Sequence, residues 1–456
     1  MSHEHDSPAD FPEGPVRIPV DAYVSAEYAK DEVHKLWRKV WLQAGRVEDL
    51  SQDSEYITFE VGDDSVLITN SAGTLKAFHN VCTHRGRKLV DVPEGQRNAH
   101  GRRKHFVCNY HGWTYDASGA TTTIPLVEDW QGALDSECTS LKPVKIDFWG
   151  GWIWINLDPN SGPLAEFLGP IPQMLDPFEL QNMRCRWRKW GVFNCNWKVA
   201  LEAFNETYHV AQTHPEFNKY GAFRGWSRSH GKHSNIGYEA LKDADKNQQA
   251  KLRIGTVGDP RVATAEMQRY TWEKANTNTT QTLVDAAQRL VDELPEGTPA
   301  PEVLGHWLKS ARADDERRGV FWPEVDPEHV GKSGTAWQIF PNFQIGHSVN
   351  NMLCYSARPY GGDPNKCIFE GAVYELYPAG EEPQTQWEYC EPTAEAWCHV
   401  LSQDFGNMEA VQKGMRVSGH AGNMPNPYME RSTINLHYHL SKLMGVGVPV
   451  SLKNKA

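Results

Sequence analysis

NWKVALEAFNETYHVAQTHP, residues 196–215, places Glu206, His209 and His214 close together in otherwise helical sequence. Glu206 and His209 are three apart and share a face of an α-helix. His214 lies five beyond His209, a spacing that an ideal helix turns well off that face. The backbone is therefore expected to loosen, by a π-type widening that aligns i with i+5 or by ending. Pro215 supports an ending, because a residue before proline is pushed out of the α region. Two histidines so placed either converge on one metal or are partly buried and hydrogen-bonded. The rest of the chain decides between these.

At 456 residues the chain is long enough for two or three domains, each with its own core. An apolar content of 39% and an aromatic content of 11%, with 17 Trp, fit a globular enzyme. The net charge is 46 − 58 = −12 without a long basic run, which argues against nucleic acid and anionic membrane as partners. No run of apolar residues is long enough to span a bilayer. The start, MSHEHDSPADFPEGP, has neither the basic beginning nor the apolar centre of a signal peptide, and residues 1–24 read as a flexible tail. Nine cysteines, an odd number, read as reduced thiols and ligands in a cytoplasmic protein.

Residues 25–44 have helical spacing, with Val33, Leu36, Trp37, Val40 and Trp41 on one side, and are expected to pack on a later domain. From 45 to 157 short alternating runs broken by Gly, Asp and Asn indicate a small antiparallel β domain. Within it stand Cys82-Thr-His84-Arg-Gly86 and Cys108-Asn-Tyr-His111-Gly112, two Cys/His pairs each followed by glycine, as in two similar tight loops. Thiolate with imidazole suits zinc or an iron–sulfur centre. In a Rieske cluster two Cys hold one iron and two His the other. A zinc knuckle is the competing reading.

On these residues the sequence resembles the Rieske non-haem iron oxygenases, specifically their large α subunit. The resemblance runs from about residue 25 to 440 and is specific at CTHRG (82–86), CNYHGWTYDASG (108–119), GGWIWINLDP (150–159) and 196–215. It implies an α+β protein: a Rieske 2Fe-2S domain over 45–157 and a catalytic domain over 158–456. The catalytic domain would be a curved antiparallel sheet packed with helices, of the helix-grip type. It also implies that Cys82, His84, Cys108 and His111 hold the 2Fe-2S cluster. One departure is the long spacer 85–107, read as a surface hairpin with His100 and His105 exposed.

Residues 393–417 read as a helix with an apolar stripe of Trp397, Leu401, Met408, Val411 and Met415, and Asp404 falls on that stripe. A lone carboxylate on a buried face costs several kcal/mol unless something pairs with it, and a cation would remove the penalty. The family places its carboxylate ligand in a D-x-x-N-M-E context, which Asp404–Glu409 matches. With His209 and His214 it would complete the two-histidine, one-carboxylate triad of Fe(II) oxygenases, leaving positions open for O2. A capping or salt-bridged Asp is the alternative.

Glu206 stands where most of the family has an Asp joining a Rieske histidine of the neighbouring subunit to the first iron histidine. By resemblance the electron route runs from the cluster through His111, across the subunit boundary, to Glu206, His209 and iron. That route requires a ring of subunits. Glu206 acting only to orient His209 is the plainer reading.

The excess length before Asp404 is assigned to a helical insertion at about 245–335, whose stripe of Leu283, Val284, Ala287, Leu290, Val291 and Leu294 docks on something. It is expected to cover the active-site mouth or to contact another subunit. TAWQIFPNFQIGHSVNNMLCYSARPYG and KCIFEGAVYELYPA read as long strands, and NLHYHLS, with His437 and His439, as a further strand of structural role. Phe204, Gln344 and His347 are candidates for the substrate pocket, with ordinary sheet roles as the alternative for the last two. The remaining cysteines read as small buried apolar groups.

The resemblance implies a terminal oxygenase that receives NAD(P)H electrons through a ferredoxin or flavin reductase. It would use a Rieske 2Fe-2S cluster, mononuclear Fe(2+) and O2 to hydroxylate, by cis-dihydroxylation, an apolar aromatic or polycyclic substrate. It would do so as a homotrimer or with a small β subunit. The competing enzyme reading is a Rieske monooxygenase or demethylase acting on a methylated, amine or terpenoid- or steroid-like substrate. A Rieske electron carrier would lack any need for His209, His214 and Asp404, and a zinc-stabilised scaffold would be colourless.

Overall fold

Short apolar alternations separated by Gly- and Asp-bearing turns give Glu55–Val61, Asp64–Ser71 and Thr74–His79, which pair as an antiparallel meander. The computed structural model, which describes residues 8, 10–220, 223–240 and 258–453, places these strands in a seven-stranded sheet. Its order is Leu42–Arg46, Trp152–Asn156, Pro143–Trp149, Thr74–His79, Asp64–Ser71, Glu55–Val61 and His100–Arg102. A three-stranded sheet of His105–Val107, Thr114–Asp116 and Thr121–Thr123 carries the second Cys/His loop between its first two strands. Leu67, Phe78, Phe106, Trp113 and Tyr115 form one core within this unit, Lys30–Gly169.

The other unit is built on an eight-stranded sheet. In order it runs Phe223–His230, His233–Ala240, Ala336–Ile339, Phe343–His347, Asn351–Tyr360, Asp363–Glu375, Arg184–Phe193 and Glu388–Tyr389. All neighbours are antiparallel except the last pair. The helix Trp197–Glu202 packs on the strands Asn351–Tyr360 and Asp363–Glu375, and Arg431–Met444 packs on the first two strands. Phe193, Phe369, Trp397 and Phe405 form an aromatic cluster in which Phe405 meets the other three edge to face, with Phe193 and Phe405 centroids 4.8 Å apart. The α+β architecture is the one expected.

Helices Pro260–Tyr270, Gln281–Gln288 and Ala300–Arg317 form the described part of the insertion, and residues 245–257 lie outside the described residues. Leu283, Val284, Ala287 and Leu290 of the expected stripe are buried, whereas Val291 is exposed.

Four local expectations change. The tail is not loose from Phe11 onward: Phe11 is buried and Val16–Arg17 pairs with Val450–Ser451, because Val16 and Ile18 have an apolar site to fill. The helix read over 25–44 is α-helical only over Ala26–Glu32, widens to a π turn at Val33–Trp37, and gives way to the strand Leu42–Arg46. The 393–417 helix is broken at Cys398, whose φ of 96° no helix accepts, and restarts as His399–Gly414. NLHYHLS lies within the helix Arg431–Met444. Most of that helix is buried, so the alternation of two histidines imitated a strand.

Gly191, in the strand Arg184–Phe193, marks a close approach: a Cβ there would sit 2.4 Å from the Cys390 carbonyl oxygen. Gly346 in the same sheet has its nearest neighbour at 3.5 Å. Gly191→Ala is therefore expected to lower unfolding stability by about 2 kcal/mol and Gly346→Ala by much less, as read from denaturant midpoints of the two variants.

Candidate metal centres

Asn196 caps the helix Trp197–Glu202, its Oδ1 accepting the Lys198 N–H at 3.1 Å. The helix then stops, and residues 203–209 form an irregular turn held by Glu206, whose Oε2 accepts the backbone N–H groups of Tyr208 and His209. The short helix Val210–Thr213 follows, and His214 leaves it with φ −120° and ψ 61° ahead of Pro215. The break expected beside His214 is present, and a second one precedes Glu206. His209 and His214 thus flank a single helical turn.

Both rings face Asp404 on the helix His399–Gly414. Nε2 of His209 is 3.4 Å, and Nε2 of His214 3.0 Å, from Asp404 Oδ1. Among the described residues this is the group of three donors able to share one ion, with all donor atoms within 4.8 Å of one another. Each imidazole is held from behind. His209 Nδ1 lies 2.5 Å from Glu206 Oε1, and His214 Nδ1 lies 2.8 Å from Gln403 Oε1. Gln403 in turn donates from Nε2 to Glu216 at 3.3 and 3.4 Å, which fixes the amide so that its oxygen faces His214. With Nδ1–H donated backwards, both Nε2 lone pairs are left to face the carboxylate. Burial pulls the His209 imidazole down, but Glu206 and then Asp404 outweigh it and hold its pKa above the ordinary value. Two imidazoles and a carboxylate, nearly closed to water and with both tautomers set, fit a divalent iron. Gln403 and Glu216 were missed from sequence; their only signal is adjacency, one before Asp404 and two after His214.

The two Cys/His loops are built alike. Gly86 donates its N–H to the Cys82 carbonyl at 3.0 Å, and Gly112 donates to the Cys108 carbonyl at 2.9 Å, with φ of 74° and 76°. Cys82 and Cys108 are buried, His84 is half-buried and His111 exposed, and the two imidazole centroids are 4.6 Å apart. Trp113 stacks on His84 at 5.0 Å, and the Tyr115 hydroxyl lies 3.1 Å from Cys82 Sγ. The two pairs sit on separate loops whose imidazoles meet at 4.6 Å. That arrangement suits a two-iron cluster held by separate pairs better than one tetrahedral zinc.

Phe204 and Gln344 lie against a crevice too narrow to admit a water molecule, with Asn205, Ile236, Trp337 and Ser432. His347 lies apart from it, edge-on to Phe178 at 4.5 Å and bonded to Ser333 Oγ at 3.1 Å. Its Nδ1 is buried without a partner, and burial pushes its pKa down to about 3. His437 is paired with Glu202 at 2.6 Å. His100 and His105 are exposed. Cys138, unlike the buried cysteines, is exposed on the short helix Ser136–Thr139. The insertion reaches the triad's neighbourhood through Tyr270, edge-on to Phe217 at 5.4 Å, and through Ala275, whose carbonyl accepts from Cys398 Sγ at 3.0 Å.

Residues 179–445 match the family described as the ring hydroxylating alpha subunit (catalytic domain), and residues 40–137 match the Rieske [2Fe-2S] domain. Curated relatives include the glycine betaine monooxygenase oxygenase subunit of Chromohalobacter salexigens, 30% identical over 41% of this chain and 40% of its own length. The naphthalene 1,2-dioxygenase large oxygenase component of Pseudomonas putida is 32% identical over 41% of this chain and 42% of its own. The chain thus aligns with less than half the length of either. Among solved structures, the quaternary ammonium Rieske monooxygenase CntA bound to L-carnitine superposes with a TM-score of 0.61 at 17% identity, covering 94% of this chain and 96% of that one. Naphthalene 1,2-dioxygenase with indole superposes at 0.60 and 16% identity, covering 95% and 94%. These two show a shared fold.

Gln403→Leu removes the acceptor behind His214 and is expected to weaken Fe(II) binding by roughly 10- to 100-fold, measured by competition with a chelator, with little change in melting temperature. His347 supplies a pH test. Its folded pKa of about 3 lies below the free value of 6.5, so stability is full above pH 6.5 and is lost as pH falls towards 3. His347→Gln is expected to make that loss shallower by about 1.4 kcal/mol per pH unit between pH 6 and 4, read as the difference between the two proteins' unfolding curves.

Proposed function

The chain belongs to the ring-hydroxylating α-subunit family and carries its Rieske [2Fe-2S] domain, and from that premise we propose that it is the terminal oxygenase of an electron-transfer chain. The observation that carries the reading is the convergence of His209, His214 and Asp404, each histidine already backed through Nδ1. On this reading these three hold mononuclear iron, and Cys82, His84, Cys108 and His111 hold the cluster. Ferrous iron bound there would supply the binding and reduction of O2, which no side chain of the triad can perform.

The protein's own residues do the rest. Glu206 and Gln403 fix the two imidazoles in the tautomer that leaves Nε2 free. Phe204, two residues before Glu206, stacks on Tyr355 at 4.1 Å and gives that turn an apolar side. Glu206 would also join the two centres, its carboxylate holding His209 while a ring of three copies presents a cluster histidine of the next copy to it. Electrons would come from NAD(P)H through a ferredoxin or flavin reductase. A cytoplasmic setting accords with the described residues having no helix long and apolar enough to cross a membrane.

The substrate reading is a compound with an apolar, ring-bearing body. A second reading, oxidation of a quaternary ammonium compound, is favoured by the names of several relatives. Cation recognition needs open aromatic faces. Phe204, the aromatic residue nearest Glu206 on the chain's N-terminal side, is already engaged by Tyr355 and Phe369, which supports the first reading.

Metal and product analysis test the proposal together. The native protein should hold about three irons per chain, two in the cluster and one in the triad. Asp404→Ala should hold about two, keep the Rieske absorbance and form no product, whereas Cys108→Ser should lose the colour. Two irons in the native chain, or undiminished product from Asp404→Ala, would remove the mononuclear site.

A further inference from the structure

We propose, resting on the oxygenase reading, that the basic spacer between the two Cys/His loops is the landing surface for the electron donor. The donor it fits is a small iron–sulfur protein with an acidic face. Residues 85–107 hold seven Lys or Arg against two acidic residues, 7 − 2 = +5, in a chain whose net charge is −12. Charge gathered against the trend of the whole molecule steers a partner of the opposite sign and speeds its arrival.

Part of this charge is answered within the fold. Arg87 pairs with Asp91 at 2.6 Å, and Lys88 with Glu60 at 2.9 Å. Arg85, Arg102, Arg103 and Lys104 are exposed, and among the described residues none of the four is in an ion pair. Arg85 lies over the Tyr110 ring at 5.1 Å and Arg103 over the Tyr56 ring at 5.3 Å, while Arg102 donates from Nε to the Asp53 carbonyl at 2.9 Å. The side chains are thus placed by rings and a carbonyl, and their charge is left for a partner.

The same surface has a hollow. Arg103, His100 and Asn109 line a recess of about 380 Å³ together with Tyr56, Leu89 and Val90. Tyr56, Leu89 and Val90 also belong to the apolar core that contains Cys82 and Cys108, and Asn109 directly follows Cys108. The recess therefore opens onto the packed group that holds the two thiols. Arg103 and Lys104 connect the strands His100–Arg102 and His105–Val107, and the second of these runs straight into Cys108. Neither His84 nor His111 lines the recess. A centre that passes electrons on through His111 to the next copy needs a separate approach for receiving them, and the recess provides one.

The step is a one-electron transfer. The donor's reduced centre is oxidised and the centre held by Cys82, His84, Cys108 and His111 is reduced, with no bond made or broken. Plant-type ferredoxins lie at lower potential than Rieske centres, so the electron runs towards this chain.

The test uses the full chain with its cluster, and a plant-type ferredoxin, an acidic [2Fe-2S] protein, as the probe. Anaerobic stopped-flow mixing reads the second-order rate of Rieske reduction, and calorimetry reads the affinity of the oxidised ferredoxin. The rate should fall about tenfold or more between about 0.02 and 0.3 M salt. Arg103→Glu with Lys104→Glu should lower the low-salt rate about tenfold or more and weaken binding in parallel. Lys309→Glu, exposed on the helix Ala300–Arg317, should change neither. Arg103→Gln with Lys104→Gln serves as the second variant should the charge reversal fail to fold, and dithionite should reduce the cluster fully in every variant. A rate indifferent to salt, folded variants with native rate and affinity, or an equal loss in Lys309→Glu would each overturn the assignment. A changed number of copies in sedimentation of the folded variants would overturn it too, because the surface would then lie between copies. A protein without Rieske absorbance removes the oxygenase reading itself, whereas a Rieske-coloured protein with a flat salt profile removes only the landing surface.

Discussion

A carboxylate that is only 4% exposed, with two imidazole nitrogens aimed at it, is the constraint around which the catalytic unit is arranged. Left alone, such a charge would cost several kcal/mol. Among the described residues no lysine or arginine pairs with it, and the imidazoles' own proton-bearing nitrogens are turned away to Glu206 and Gln403. Three donor atoms thus stand within 4.8 Å of one another, a geometry that fits a cation. Holding it demands irregular backbone on both sides. The Trp197–Glu202 helix must stop before Glu206, and the chain before His399 must break at Cys398 with a positive φ. Such local departures from regular structure gather where function requires them.

The sheet supplies the rigidity these departures lack. Helix Trp197–Glu202 rests on two of its longest strands, and the Phe193, Phe369, Trp397 and Phe405 cluster ties one of these, Asp363–Glu375, and its neighbour Arg184–Phe193 to the helix that carries Asp404. The triad is thus placed by packed aromatic groups, while the residues that orient it, Glu206, Gln403 and Glu216, come from turns and helix ends. The Rieske unit follows the same plan on a smaller scale, with two glycine-closed loops whose histidines lie 4.6 Å apart beside a well-packed β core.

Much of this is legible in the sequence because metal chemistry restricts both residue type and spacing. Cys82-x-His84 and Cys108-x-x-His111 leave few readings, and Asp404 on an apolar stripe asks for a partner. What stays hidden is set by tertiary contacts. Gln403 is an ordinary helix residue until its amide is seen between His214 and Glu216. In the helix Arg431–Met444 the polar Ser432, Asn435 and His437 are buried beside Ile434 and Leu440, so polarity does not mark its outer face. Phe11, Val16 and Ile18 follow a polar start, and only the apolar site they fill shows that they are part of the fold.

The most direct test is an anaerobic titration of chelator-treated protein, its cluster intact, with ferrous iron. The account predicts saturation at about one equivalent and a raised melting temperature, since an ion that binds only the folded triad stabilises it by mass action. No saturable uptake, or saturable uptake that leaves the melting temperature unmoved, would mean that Asp404, His209 and His214 do not form a metal site.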